Sequence, residues 1–196
     1  MSESKAKTIA EKWIRYLAPV CDRIAIAGSI RRGKAEPKDI EIVCIPKFQA
    51  ELDLFGGKGE TINLLEAELR KLFLERAYLA ATKRGPRYKQ LALPEGIKLD
   101  LFICLPPSEW GVQFLIRTGP ADFSHWCVTT RHAGGALPSY LRVKDGAVWH
   151  RSEKLETPEE ADFFRLLRLD YVEPSERQAH WPGTHNEVHG DYYIAE

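Results

Sequence analysis

Ala27-Gly28-Ser29-Ile30-Arg31-Arg32-Gly33-Lys34-Ala35-Glu36-Pro37-Lys38-Asp39-Ile40-Glu41-Ile42 is the stretch on which the fold turns. Arg23 to Ala27 reads as a buried strand, and Ile40 to Ile45 as a second one ended by Pro46. Gly28-Ser29 breaks the first strand, and Ile30 to Lys34 reads as a short helical turn. Such a turn offers backbone N–H groups and a hydroxyl to an anion. Arg31 and Arg32 add positive charge, one meeting a polyphosphate while the other faces elsewhere. Asp39 and Glu41 stand two apart, so both carboxylates project from one face of the second strand. Carboxylates this close repel unless a cation lies between them. Asp100, inside Ile97-Lys98-Leu99-Asp100-Leu101-Phe102-Ile103, repeats the pattern of an acid in an apolar strand. Three acids on neighbouring core strands make a cage for a hard divalent ion such as Mg2+, completed by water and substrate phosphate. A Gly-Ser turn alone, or a D-x-E alone at a strand edge, implies little. Their conjunction with an Arg-Arg-Gly and a third buried acid points to two-metal displacement at an α-phosphorus.

Around this segment the chain is ordinary in bulk. Its 196 residues are 44% hydrophobic, enough for one domain or two small subdomains sharing a core. Lys plus Arg and Asp plus Glu are 28 each, which argues against a sequence-independent DNA coater and leaves local basic patches for any nucleic acid. Cys21, Cys44, Cys104 and Cys127 have no C-x-x-C spacing and read as buried free thiols of a reducing compartment. Neither a signal peptide nor a membrane-spanning run is expected, so the reading is cytoplasmic, or nucleoid-associated.

Along the chain, Ser4 to Leu17 reads as an amphipathic helix, residues 51 to 60 as a glycine-rich loop, and Thr61 to Ala80 as a helix. Tyr88 to Leu93 and Lys98 to Leu105 form a hairpin around Pro94-Glu95-Gly96. Phe114 to Thr118 reads as a short extended piece and Ala121 to His132 as a helix. Residues 141–143 and 147–149 flank Lys144-Asp145-Gly146 as a second hairpin. Thr157-Pro158-Glu159-Glu160 reads as an N-cap, a first-position proline and acidic first-turn residues of a helix reaching Leu169. The texture changes between Pro106 and Thr118, which divides the chain into 1–110, 111–178 and a tail, 179–196.

The quoted stretch resembles the G-S-x-R-R-G…D-x-D signature of family X DNA polymerases, the polymerase-beta-like group, including the gap from glycine to first acid. Leu99-Asp100-Leu101-Phe102 resembles the strand bearing that family's third acid. Gly111, Thr118-Gly119 and Glu173-Pro174-Ser175-Glu176-Arg177 resemble its glycine, T-G and E-P-x-x-R positions. The resemblance runs from about residue 5 to 178. It implies an α+β fold: a nucleotidyltransferase palm, a mixed β-sheet with helices on one face, plus a small C-terminal α/β nucleotide-selecting, thumb-like subdomain. It implies two Mg2+ ions (Mn2+ as substitute) on Asp39, Glu41 and Asp100, with Asp100 accepting the proton of the attacking 3′-hydroxyl. Ser29 and Arg32 would take the β- and γ-phosphates, and Gly28 would let them approach. Thr118, Gly119 and Phe123 would line the sugar and base pocket. The implied activity is DNA-directed: a dNTP added to the primer of a primer-template DNA, in short-gap repair. The implied protein is a monomer recruited by other DNA-processing proteins, a minimal form without lyase or helix-hairpin-helix domains.

The sequence departs from the pattern in three places: Glu41 stands for the usual Asp, Ile116-Arg117 for an aromatic pair, and Pro120 for a serine after a bond often cis. D-x-E occurs in small-molecule nucleotidyltransferases of the same superfamily. A small-molecule, RNA or protein acceptor, an untemplated terminal transferase and a degenerate scaffold therefore stay open. Among weaker signals, Lys83, Arg84, Arg87 and Lys89 form the densest basic cluster, read as a DNA backbone track or equally as a solvated strand edge. Arg117, Arg131, Lys144, Arg165 and Arg168 in the second subdomain read either as DNA contacts or as charge surrounding a helix, and singly the second reading is favoured. His180, His185 and His189 lack the spacing of a zinc site, and Trp126, Trp149 and Trp181 read as core. Gly56-Gly57-Lys58-Gly59 lacks the context of a phosphate-binding loop.

Overall fold

Alternation of apolar residues on β1 (Cys21–Ile26) and β2 (Asp39–Pro46) sends one set of side chains to each face of the sheet these strands share. The computed structural model describes residues 1–52, 58–75, 80–105 and 109–177. Between β1 and β2 the chain makes α2 (Gly28–Arg31), a single turn, as the Gly28-Ser29 break predicts. The sheet gains β5 (Ala80–Arg84), β6 (Tyr88–Ala92) and β7 (Lys98–Ile103), in the order β1-β2-β7-β6-β5. It is mixed: β2 and β7 run parallel, and the other neighbours antiparallel.

One face carries Ile40, Ile42, Cys44, Leu99, Leu101 and Ile103 and is covered by α1 (Glu3–Leu17) and α3 (Leu64–Glu75). Ile9, Trp13 and Leu17 recur at helical spacing on α1, as do Leu65, Leu69 and Leu72 on α3, so each helix lays one stripe on the sheet. The opposite face carries the acids at one end. At the other, Ala27, Val43, Ile45 and Cys104 pack against Trp110 of α4 (Trp110–Thr118). Beyond it, α5 (Ala121–Val128), the sheet β8 (Leu141–Lys144), β9 (Ala147–His150) and β10 (Glu153–Leu155), and α6 (Glu160–Leu167) close over a separate buried cluster, which includes Leu115, Phe123, Val148 and Phe164.

Several expectations are corrected. Residues 48–52 and 58–63 pair as β3 (Phe48–Leu52) and β4 (Lys58–Asn63), so much of the expected 51–60 loop is strand; residues 53–57 lie outside the described set. The helix expected from Thr61 begins at Leu64, because residues 61–63 are taken by that hairpin, and Asn63 Oδ1 accepts the Glu66 N–H at the helix start. Phe114 to Thr118 is helical. Its β-branched and aromatic residues read locally as strand, but Val112, Leu115 and Thr118 bury one helical face, and tertiary packing outweighs propensity. The N-cap of α6 is Glu159, in a reciprocal capping box with Asp162, rather than Thr157, and the helix ends at Leu167. The helix expected to His132 stops at Val128, followed by a 3-10 turn at Arg131–Ala133. His180, Trp181, His185 and His189 lie outside the described residues. All four cysteines are buried and free. Among the described residues no helix is long and apolar enough to cross a membrane.

Candidate active site

Register decides which side chains meet. Glu41 is the cross-strand partner of Asp100 on the parallel β2–β7 pair, and Gln90 is the partner of Asp100 on β6. Lys83 on β5 pairs with Gln90, so Glu41, Asp100, Gln90 and Lys83 form one row across four strands on the open face. Asp39 projects from the same face, two residues before Glu41.

The carboxylates feel one another. Burial first, and then the charges of Asp39 and Asp100, push Glu41 up to about 7. Asp39 is raised as well, first by burial and next by Asp100. Yet among the described residues no three His, Cys, Asp or Glu side chains are gathered into a ready-made metal cage. Like charges separate when nothing lies between them, and each acid has another attachment. A Cβ on Gly28 would overlap Glu41 Oε2, so the Glu41 side chain fills the space that glycine leaves, and its carboxylate feels the Ser29 N–H. Gly28 takes φ +62°, a backbone region that favours glycine. Asp100 is 8% exposed and accepts bonds at Oδ1 from Tyr88 Oη (2.7 Å) and Gln90 Nε2 (2.8 Å). Burial, then the bond to Asp100, pushes the Tyr88 phenol up to about 12, so it stays a donor. The set fits a hard divalent ion in donor chemistry, all of it carboxylate oxygen, but leaves the cage to be drawn together on binding.

Beside the acids, the Ser29 hydroxyl is buried with no hydrogen-bond partner, at the turn where the sequence predicts a phosphate ligand. Such an orphan is costly unless something arrives to pair with it. Arg32 reaches across and donates to the Thr118 carbonyl. The Gly119-Pro120 bond is cis. Thr118 and Gly119 thus lie against α2, but Thr118 is fully buried, its hydroxyl bonded to Arg31 at 2.7 Å. Phe123, expected in the sugar and base pocket, is instead fully buried, with ring contacts to Trp126 and Phe164, and presents no surface to a ligand.

The basic cluster is also redistributed. Lys89 is 5% exposed and pairs with Glu66 at 2.7 Å, because alternation turns it to the helical face of the sheet. Arg87 holds the buried Glu109 at 2.9 Å and the Asp145 carbonyl at 3.0 Å. Arg84 lies over the Phe73 ring on the helical side. Lys83 lies on the acid face, its ammonium 5.1 Å from the centre of the Tyr88 ring.

Two contributors, Tyr88 and Gln90, were not singled out from the sequence. Tyr88 and Gln90 alternate on a strand whose hairpin partner bears Asp100; Gln90 and Asp100 are equidistant from Glu95, so the turn already fixed their pairing. Arg117, read as charge surrounding a helix, lies 4.2 Å over the Phe102 ring, with a buried and unpartnered Nε. Burial lowers its pKa, opposed first by Glu41. Arg31 is the arginine that faces elsewhere. It makes a two-pronged pair with Glu160 (3.0 and 2.7 Å) and lies over the Phe114 ring.

No family model matches the chain. It is 28% identical to DNA polymerase lambda of Rattus norvegicus over 165 residues, covering 76% of this chain and 28% of that protein. It therefore spans little more than a quarter of the length of that relative. In fold it is similar to a structure of Leishmania infantum polymerase beta described as a ternary P/T complex, with TM-score 0.67, 15% identity, 91% of this chain covered and 76% of that one. The chain is thus similar in sequence to DNA polymerase lambda and shares with polymerase beta a mixed α+β fold.

Proposed function

We propose that the protein transfers a nucleotidyl group from a dNTP to the 3′-hydroxyl of a DNA primer paired to a template. The observation that carries this reading is the pairing of Glu41 with Asp100 on the open face, beside a turn whose Ser29 hydroxyl is buried and unpaired. Ser29 and the N–H groups after Gly28 would receive the triphosphate, with Arg32 released from the Thr118 carbonyl to join them. Asp39, Glu41 and Asp100 would hold two divalent ions, which supply charge neutralisation at the reacting phosphate and acceptor oxygen when bound. Asp100 would orient the acceptor hydroxyl and take its proton. With the phosphate seat on the β1 side of the acids, an in-line acceptor would come from the β6–β5 side, past Gln90 and Lys83. In this reading residues 1–110 carry the chemistry and 111–178 select the nucleotide, supported by the two separate buried clusters.

A second reading, nucleotidyl transfer to a non-DNA acceptor or without template, is favoured by one set of contacts. Arg87 is exposed but paired to Glu109, Lys89 is buried against Glu66 and Arg84 lies on the other face, leaving Lys83, among the described residues, as the unpaired cation of that cluster on the acceptor side. Primer extension with each single dNTP, on gapped and single-stranded DNA with Mg2+ or Mn2+, separates the two. Template-matched addition is expected, reduced by at least about 100-fold in Asp100→Ala. Addition that ignores the template base, or no addition to DNA while the nucleotide still binds, would favour the second reading.

A further inference from the structure

We propose that Tyr88 and Gln90 are positioning residues of the reaction centre, which hold Asp100 by one carboxylate oxygen and leave the other for a cation and the acceptor hydroxyl. In its acceptor clause the inference rests on the transfer reading above; the orientation of Asp100 stands on the contacts themselves.

Both donors meet at one atom. Tyr88 Oη lies 2.7 Å and Gln90 Nε2 2.8 Å from Asp100 Oδ1, and among the described residues no hydrogen bond reaches Oδ2. Gln90 Nε2 also donates to Tyr88 Oη at 3.1 Å, so the two holders are linked. The amide is oriented by its other end: Thr82 Oγ1 donates to Gln90 Oε1 at 2.8 Å, which leaves the nitrogen for Asp100.

The Tyr88 ring is itself fixed. It stacks on Phe102 with centroids 5.1 Å apart and 16° between planes, with the Lys83 ammonium over Tyr88 and the Arg117 guanidinium over Phe102. Hydrogen bonds to an ionised carboxylate are the strong kind, and two on one oxygen fix the rotation of the carboxyl group. Asp100 is therefore preset, whereas Glu41 lies against Gly28 and must move to share a cation with it. Groups that orient a metal-binding carboxylate typically cost 10–100-fold in metal affinity or activity when removed. Gln90 has the further advantage of place, standing next to Asp100 in the row that leads to the sheet edge.

The test uses the full chain with Tyr88→Phe, which keeps the ring, Gln90→Met, which keeps the length, and the double variant. Binding of Mn2+ alone is titrated by electron paramagnetic resonance, and steady-state transfer is measured in parallel. Each single variant is expected to weaken Mn2+ binding or lower kcat about 10-fold, and the double variant about 100-fold. KM for the nucleotide should stay within about 2-fold, since the phosphate seat is untouched. The thermal midpoint should fall by only a few degrees, which separates lost positioning from unfolding. Mn2+ affinity and kcat within about 2-fold of wild type in the double variant would overturn the inference, as would a wild-type chain that binds no Mn2+. A wild-type chain that transfers to no acceptor, yet binds Mn2+ in a manner dependent on Tyr88 and Gln90, would overturn the transfer reading and leave this one standing.

Discussion

Glu41 has one methylene more than an aspartate, and that carbon lets its carboxylate lie against Gly28 and Ser29, where an incoming phosphate is expected. Its neighbours and its burial hold its proton to about 7, against 4.5 for a free glutamate. Between those values the folded chain binds a proton that the unfolded chain has lost. The metal-free protein therefore becomes less stable as pH rises through that window. The whole shift corresponds to roughly 3 kcal/mol, and partial solvent access reduces it, so a loss of about 1–2 kcal/mol between pH 5 and 8 is expected. Urea unfolding of the metal-free chain at both pH values measures it. Glu41→Gln should be flatter with pH and more stable than wild type at pH 8. The same slope in both proteins would show that Glu41 is already ionised there. At this scale the sequence was most informative: D-x-E on a strand, with a third buried acid, marked the three carboxylates without structural help. What it could not convey was that Arg87 and Lys89 are already paired within the protein's own structure, because their partners Glu109 and Glu66 are remote in sequence.

Elements were legible where one local rule governs them. The strand-turn-strand around Gly28 and the hairpins at 94–96 and 144–146 follow from glycine, proline and alternation, and each formed where expected. Residues 114–118 followed a different rule. Val112, Phe114, Ile116 and Thr118 favour strand locally, and only the packing of α4 against α6 and β2 makes them helical. Gly111 is what allows that packing. Its N–H donates to the Thr157 carbonyl at 2.7 Å, and a Cβ there would overlap the backbone carbonyls of Thr157 and Glu159. Backbone cannot yield as a side-chain tip can, so Gly111→Ala should push α4 away from the start of α6. A loss of about 3 kcal/mol or more is expected, read from the denaturant midpoint. Gly134→Ala is the control, because nothing lies within 4 Å of its added Cβ and only its positive φ is strained, a cost of about 1 kcal/mol. Equal losses in the two variants would mean that the close approach of α4 is not what Gly111 provides.

Across the whole molecule, one buried carboxylate links the turn beside the acids to the C-terminal cluster. Glu160 receives both prongs of Arg31 and lies 2.8 Å from Arg177 Nη1, an ion-pair contact that is not aligned as a hydrogen bond. Arg31 is in the same turn as Ser29, and Arg177 closes the segment that resembles the family's E-P-x-x-R, bonded twice to the Val172 carbonyl. Position in the Gly28-Ser29 turn is thus referred to the far end of the described chain through a group 5% exposed. Burial alone would raise Glu160, but the hydrogen bonds from Arg31 and the close positive charge of Arg177 outweigh it and hold its carboxyl below the usual glutamate range. The unfolded chain binds that proton more readily, so the stabilisation is complete above the ordinary glutamate value of 4.5 and is lost as pH falls through the folded value. Glu41 and Glu160 therefore contribute pH slopes of opposite sign, Glu41 above about pH 4.5 and Glu160 below it. Glu160→Gln keeps the shape and removes the charge, leaving the buried Arg177 and half-buried Arg31 guanidiniums without their anion; about 3 kcal/mol should be lost at pH 7. Its acid-side slope should flatten while the slope from Glu41 persists. If Glu160→Gln also weakens binding of a dNTP with Ca2+ by 10-fold or more, with folding intact at the assay temperature, then Arg31 transmits the order of the C-terminal half to the Gly28-Ser29 turn. Unchanged nucleotide affinity would confine the Arg31–Glu160–Arg177 cluster to stability.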